Sequence, residues 1–140
     1  MKQKLLIIIS FLIILLTVGC TTNKTQTLHG FYQSENVDGH FIQISFQRED
    51  NTFVQYIDNI EVNKGMYEHL EDNIYMLKGD KKDLKITLED DFFKNYFFYI
   101  SIDKLNDGNP IKIKKTGNTP TYFTSEFSDS EIKEIENLFN

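Results

Sequence analysis

From Leu28 onward apolar and polar residues alternate with the period of two that belongs to a β-strand with one dry face and one wet face. Ile42, Ile44 and Phe46 share one face and Gln43, Ser45 and Gln47 the other; Leu84, Ile86 and Leu88 alternate with Lys85, Thr87 and Glu89, and Ile111 and Ile113 with Lys112 and Lys114. Further short strands are predicted over 52–57, 65–70, 74–78 and 96–102. Turn formers separate them: Glu49-Asp50-Asn51, Asp58-Asn59, Glu71-Asp72-Asn73, Gly79-Asp80 and Asp107-Gly108-Asn109-Pro110. Short strands punctuated this regularly predict an antiparallel meander. The period changes only at the end, where Ser128-Asp129-Ser130-Glu131 has the form of a capping box and Ile132, Ile135, Leu138 and Phe139 recur at helical spacing, so a helix is predicted over 128–139.

A sheet with one apolar face and no helices between its strands buries that face by closing on itself or by folding over. The expectation is a mostly β domain spanning 28–140, a small antiparallel meander barrel of about eight strands with one C-terminal helix packed outside; a β-sandwich is the alternative. The strand at 96–102 is apolar on both sides, with Phe98, Ile100 and Ile102 on one and Phe97 and Tyr99 on the other. A strand of that kind is buried twice, so the helix is expected to dock on Phe97 and Tyr99.

The opening of the chain follows neither period. Met1-Lys2-Gln3-Lys4 carries two positive charges and no acid, and Leu5 to Val18 is broken only by Ser10 and Thr17. These are the charged and apolar regions of a secretory signal. As a helix the apolar stretch would reach roughly 21 Å against roughly 30 Å of hydrocarbon, too short for a comfortable permanent span. It ends in Leu16-Thr17-Val18-Gly19-Cys20, which resembles the lipobox of bacterial lipoproteins, where a small residue precedes a cysteine that is acylated and becomes the new N-terminus. The resemblance implies a signal peptide over 1–19, a diacylglycerol-modified Cys20 bearing acyl chains such as palmitate, and a polar tether over 20–27. It also implies a place on the extracytoplasmic face of the cell membrane. In a Gram-positive cell that is the outer face of the cytoplasmic membrane; in a double-membraned one, Thr21 after the cysteine resembles the outer-membrane sorting pattern. Cys20 is the only cysteine, so no intrachain disulfide can form, and acylation removes an otherwise lone reactive thiol. Two acyl chains make a durable anchor, at about 0.8 kcal/mol per buried CH₂.

Lys2 and Lys4 precede the cysteine, so the 15 basic residues of the chain become 13 from Cys20 onward against 21 acids, a net of −8. Nucleic acid and anionic lipid both call for a basic face, and neither is an expected electrostatic partner. The length suits one domain with one core, and a monomer is expected.

Gly30-Phe31-Tyr32 at the head of the first strand, followed by Phe41 to Phe46, Phe53-Val54-Gln55-Tyr56, Gly65-Met66-Tyr67 and Ile74-Tyr75-Met76-Leu77, resembles the small lipocalin-like (calycin) lipoproteins of Gram-positive bacteria, with Tyr32 where the lipocalin signature prefers Trp. The resemblance implies a barrel that binds a small hydrophobic molecule or a partner. A barrel this short is expected to be filled largely by its own side chains.

No Gly-x-Ser-x-Gly elbow, phosphate-binding glycine loop or His-Glu-x-x-His occurs, and no spacing selects a pair of carboxylates for acid–base work. His29, His40 and His69 stand apart, each next to a strand end, and Asp103 to Lys114 lacks the acid that a calcium loop requires at its end. No enzyme, metal site or cofactor is expected. The densest feature is the aromatic run Phe92-Phe93-Lys94-Asn95-Tyr96-Phe97-Phe98-Tyr99, read as core and helix-docking surface, with an exposed patch or pocket mouth as its functional alternative. Phe31, Tyr32, Tyr56, Tyr67, Tyr96, Phe97 and Tyr99 are the candidate contacts for a ligand or partner. The expected function is a non-enzymatic, membrane-anchored binding module; the alternative is a self-protection or inhibitor lipoprotein whose acidic domain captures a cationic antimicrobial peptide or a wall-degrading enzyme.

Overall fold

In a computed structural model of the chain, which describes residues 27–140, the alternating segments form nine strands: β1 (Gly30–Ser34), β2 (Ile42–Gln47), β3 (Thr52–Ile57), β4 (Ile60–Glu71), β5 (Ile74–Gly79), β6 (Leu84–Thr87), β7 (Glu89–Asp90), β8 (Tyr96–Ile100) and β9 (Ile111–Gly117). The signal peptide, Cys20 and the first part of the tether lie outside the described residues. The sheet order is β6-β5-β4-β3-β2-β1-β9-β8-β7, antiparallel throughout. Six strands meander, and β9 then returns to pair with β1, so the sheet curls into a nearly closed barrel. Its seam lies where β6 packs beside β8. The chain itself crosses the seam through the buried Leu88, whose amide extends the β5–β6 pairing by donating to Asn73 O at 2.8 Å.

The turns fall at the expected residues. Asp58 and Asn59 both take positive φ, as a two-residue hairpin turn demands, so β4 begins at Ile60, five residues earlier than its apolar pattern suggests. Gly108 at φ +75° and Pro110 bring the chain into β9. The lone glycine at the head of β1 has a steric reason: Gly30 has φ +90°, and a Cβ there would run into the Gly117 carbonyl where β1 bulges against β9.

The register assigns the faces. Ile42, Ile44 and Phe46 of β2 stand opposite Ile57, Gln55 and Phe53 of β3, so these six point inward, as do Tyr32, Tyr67, Leu77, Ile86, Phe98 and Ile113. Phe46 is the hub of the interior. Its ring meets those of Tyr32 at 5.5 Å, Tyr67 at 5.4 Å, Phe98 at 6.0 Å and Phe53 at 6.4 Å, side chains drawn from five strands. Rings from opposite walls therefore interlock across the middle, and the barrel is filled by its own side chains.

After β9 the chain runs back across the outer face. Thr121 donates to Ser45 Oγ at 2.9 Å, Ser45 Oγ bonds Thr121 O in return, and Phe123 packs between Tyr56 at 5.0 Å and Phe31 at 5.9 Å. This strap carries the chain over β1, β2 and β3, away from β8. The helix α1 (Asp129–Phe139) starts at a complete capping box of Ser128 and Glu131. It docks against β4, with Ile135 and Phe139 buried in the core cluster. The expected docking on Phe97 and Tyr99 is thus corrected: the strap delivers the helix elsewhere, and Tyr99 keeps 44 % of its surface exposed. Lys104 of the β8–β9 loop donates to Asn137 O at 2.6 Å, supplying the cation that the last turn of the helix lacks.

Candidate functional site

The barrel has two distinguishable ends. At the far end lie the β1–β2, β3–β4, β5–β6 and β8–β9 connections and the helix. There Asp58 accepts from the Phe41 amide at 2.8 Å and pairs with His40 Nδ1 at 2.6 Å, and Asp38 accepts from the Asn106 amide at 2.7 Å. At the other end the chain enters from the tether, and here the β2–β3 and β4–β5 turns, the β7–β8 loop and the exit from β9 converge.

Entry into the domain is clamped from several sides. Tyr67 Oη donates to Leu28 O at 2.8 Å. The Tyr75 hydroxyl is pushed upward in pKa by desolvation, against which a hydrogen bond from the Leu28 backbone acts. His29 Nδ1 donates to Thr27 O at 2.8 Å, which leaves Nε2 as the acceptor facing Lys115 Nζ at 3.1 Å. Lys115 points inward opposite Tyr32, near the rings of Tyr32 and Tyr96 at 6.0 and 5.8 Å, and desolvation lowers its pKa.

Among the described residues, surface clefts open at this end. One of about 370 Å³ has Tyr67, His69 and Tyr75 in its wall with Thr27 at its edge. A second, about 350 Å³, runs between His29 and Arg48 on one side and Asn118 to Pro120 on the other; the third, about 250 Å³, lies beside Lys115 and Tyr96. A cleft of about 360 Å³ near Glu35, Asn106 and Lys112 belongs to the far end.

The seven aromatic candidates fall into three separate environments. Tyr32, Tyr67 and Tyr96 face the interior; Phe31 and Tyr56 lie under the strap against Phe123; Phe97 and Tyr99 share the outer wall 5.9 Å apart, with Lys112 Nζ 3.6 Å above the Phe97 ring. The histidines keep separate partners, since His69 Nε2 donates to Asp72 O at 2.6 Å within its own turn. Among the described residues no three His, Cys, Asp or Glu side chains are grouped so as to hold a metal, and no helix is long and apolar enough to cross a membrane.

Inside the aromatic run whose functional alternative is an exposed patch, but outside the seven named contacts, is the tip of the β7–β8 loop. Phe92 and Phe93 are 93 % and 80 % exposed, with their rings edge to face at 5.5 Å. The signal for this was the position of the pair between the turn formers Asp91 and Asn95. Comparison with family models, with curated proteins and with solved structures found no match.

Proposed function

We propose that the chain is a lipoprotein cut before Cys20 and acylated there, and that its barrel is a non-enzymatic binding module working on the extracytoplasmic side close to the membrane. The observation that carries this proposal is the clamped entry: Leu28 and Thr27 are fixed by Tyr67 and His29, so the tether leaves from one defined end of the barrel, beside three of the clefts. The meander, the Gly30 head and the late helix support the resemblance to lipocalin-like lipoproteins. Rings fill the interior, which favours a partner or a small apolar molecule held at the rim over one enclosed within the barrel. The test is native mass spectrometry of the mature protein extracted from host membranes: a co-purifying molecule lost on substitution of cleft residues such as His69 or Arg48 supports the proposal, and a bare protein unaffected by those changes argues against it.

A second reading is self-protection. Glu49, Asp50, Glu71 and Asp72 are exposed on turns at the tether end, facing the zone that a cationic antimicrobial peptide or a wall-degrading enzyme would have to enter. A deletion strain more sensitive to such agents, restored by the wild-type chain and not by one with these acids neutralised, would favour it.

A further inference from the structure

We propose that Phe92 and Phe93 are a second membrane contact, a rigid two-ring tip that dips into the interface of the bilayer to which Cys20 is tied. The inference rests on the lipoprotein reading for the identity of the membrane, and on the described residues for everything else.

Two adjacent phenylalanines that fold away from the core and face water are a costly surface unless something covers them. This tip is also built to stay in place. Asp91 Oδ1 accepts from the amides of Phe93 and Asn95, both at 2.9 Å, and Oδ2 accepts from Asn95 Nδ2 at 2.9 Å. The Lys94 amide donates to Asp91 O at 2.9 Å, Lys94 itself sits at φ +62°, and its ammonium pairs with Asp90 at 2.8 Å. A loop so braced holds its rings outward before anything binds, so little ordering entropy remains to be lost on insertion.

The strand pairing gives the tip its direction. Tyr96 follows the loop at the start of β8; β8 pairs with β9, and the last residue of β9, Gly117, stands opposite Phe31, three residues after Leu28. The tip and the tether therefore leave from the same end of the barrel. Six residues separate Cys20 from Thr27, so the seven steps between them span at most roughly 25 Å when fully extended, and lipidation would hold this end within reach of the bilayer surface.

A membrane fits the tip better than a protein partner. Two residues on a convex loop offer far less than the roughly 800 Å² per partner of a stable protein interface, whereas interfacial insertion needs only apolar area at the right height. The neighbouring acids do not forbid it: Asp91 is engaged by loop donors and Asp90 by Lys94. The contact is apolar, and therefore insensitive to salt.

The chain contains no tryptophan, so Phe92→Trp places a single reporter on the tip. The full chain would be produced in a lipidating bacterium and the purified mature protein reconstituted into phosphatidylcholine vesicles, with and without phosphatidylglycerol. Blue-shifted emission, quenching by brominated lipid and protection from aqueous iodide are the expected results, unchanged by added salt on phosphatidylcholine alone. Emission typical of water with full access to iodide would overturn the proposal. So would a blue shift already present without vesicles, which would point to a second copy of the chain or another protein. A released Cys20→Ser form should still partition onto phosphatidylcholine vesicles, about tenfold or more weakly once Phe92 and Phe93 are both changed to Ser; equal partitioning of the two would count against the tip. An intact mass of the membrane-extracted wild-type protein showing no lipid on Cys20 would sink the anchor while leaving the tryptophan result to judge the tip.

Discussion

The hydroxyl of Tyr67 donates a 2.8 Å hydrogen bond to the carbonyl of Leu28, 39 residues earlier in the chain, and both residues are buried. One side chain on β4 thereby fixes the point where the tether becomes the domain. Tyr67→Phe keeps the ring against Phe46 and removes only the donor. The loss should cost about 1–3 kcal/mol, because a buried carbonyl forfeits a partner it cannot replace from water. Urea denaturation would measure it, and faster hydrogen exchange at Leu28 and His29 should accompany it. Unchanged stability would mean that the clamp is incidental.

The same tyrosine predicts alkaline lability. Desolvation, and after it the neighbouring Tyr75 and Asp50, push the Tyr67 hydroxyl up to about 12 from its ordinary 10.0, and burial raises Tyr32 further. A group whose folded pKa is raised contributes stability that is complete below the unfolded value near 10.0 and is lost as pH climbs through the folded value. Tyrosinate absorbance followed alongside circular dichroism should therefore show these hydroxyls ionising together with loss of sheet structure. Ionisation of every tyrosine near 10 with the fold intact would contradict this.

Gln55 points inward opposite Ile44, and its Nε2 is buried without a hydrogen-bond partner among the described residues, while its Oε1 accepts only a long 3.5 Å bond from Asn63. Gln55→Met removes the orphaned donor at similar volume. Stability should stay level or rise by about 1 kcal/mol. A clear loss in thermal or urea unfolding would show that the amide has a role in the interior beyond filling space.

At the helix start, Ser128→Ala removes the hydroxyl oxygen that accepts from the Glu131 amide and should cost about 0.5–2 kcal/mol. Glu131 is held below its ordinary value chiefly by the Ser128 hydroxyl. Its part of the box is therefore present above pH 4.5 and fades as pH falls through the lowered pKa. Helix signal measured across an acid titration in wild type and Ser128→Ala should differ most above that range and less below it, where only the cap to the Glu131 amide, which does not titrate, still separates them.

Much of this architecture could be read from the chain because its signals are local. Ile42, Ile44 and Phe46 alternate with the polar Gln43, Ser45 and Gln47, although the strap then covers Ser45 and leaves this outer face drier than the alternation implies, Asp58-Asn59 tolerates the left-handed turn its hairpin needs, and Ser128 and Glu131 are spaced to cap each other. What could not be read depends on distant partners. The two-residue β7 exists only through its pairing with β8, and the strap carries no periodicity, since Phe123 is placed by Phe31 and Tyr56. The helix therefore had no visible route away from Phe97 and Tyr99. Hydrophobicity likewise gave Phe92 and Phe93 the look of core, because it weighs the rings and not the Asp91 turn that lifts them into solvent.

The most direct test of a lipid-tethered barrel is the intact mass of the protein extracted from bacterial membranes after expression of the full chain. The expected mass is that of residues 20–140 carrying a diacylglyceryl group and further acyl chain mass on Cys20, with the Cys20→Ser chain lacking that addition. A chain that begins elsewhere, or that begins at an unmodified Cys20 and still stays on the membrane, would contradict it.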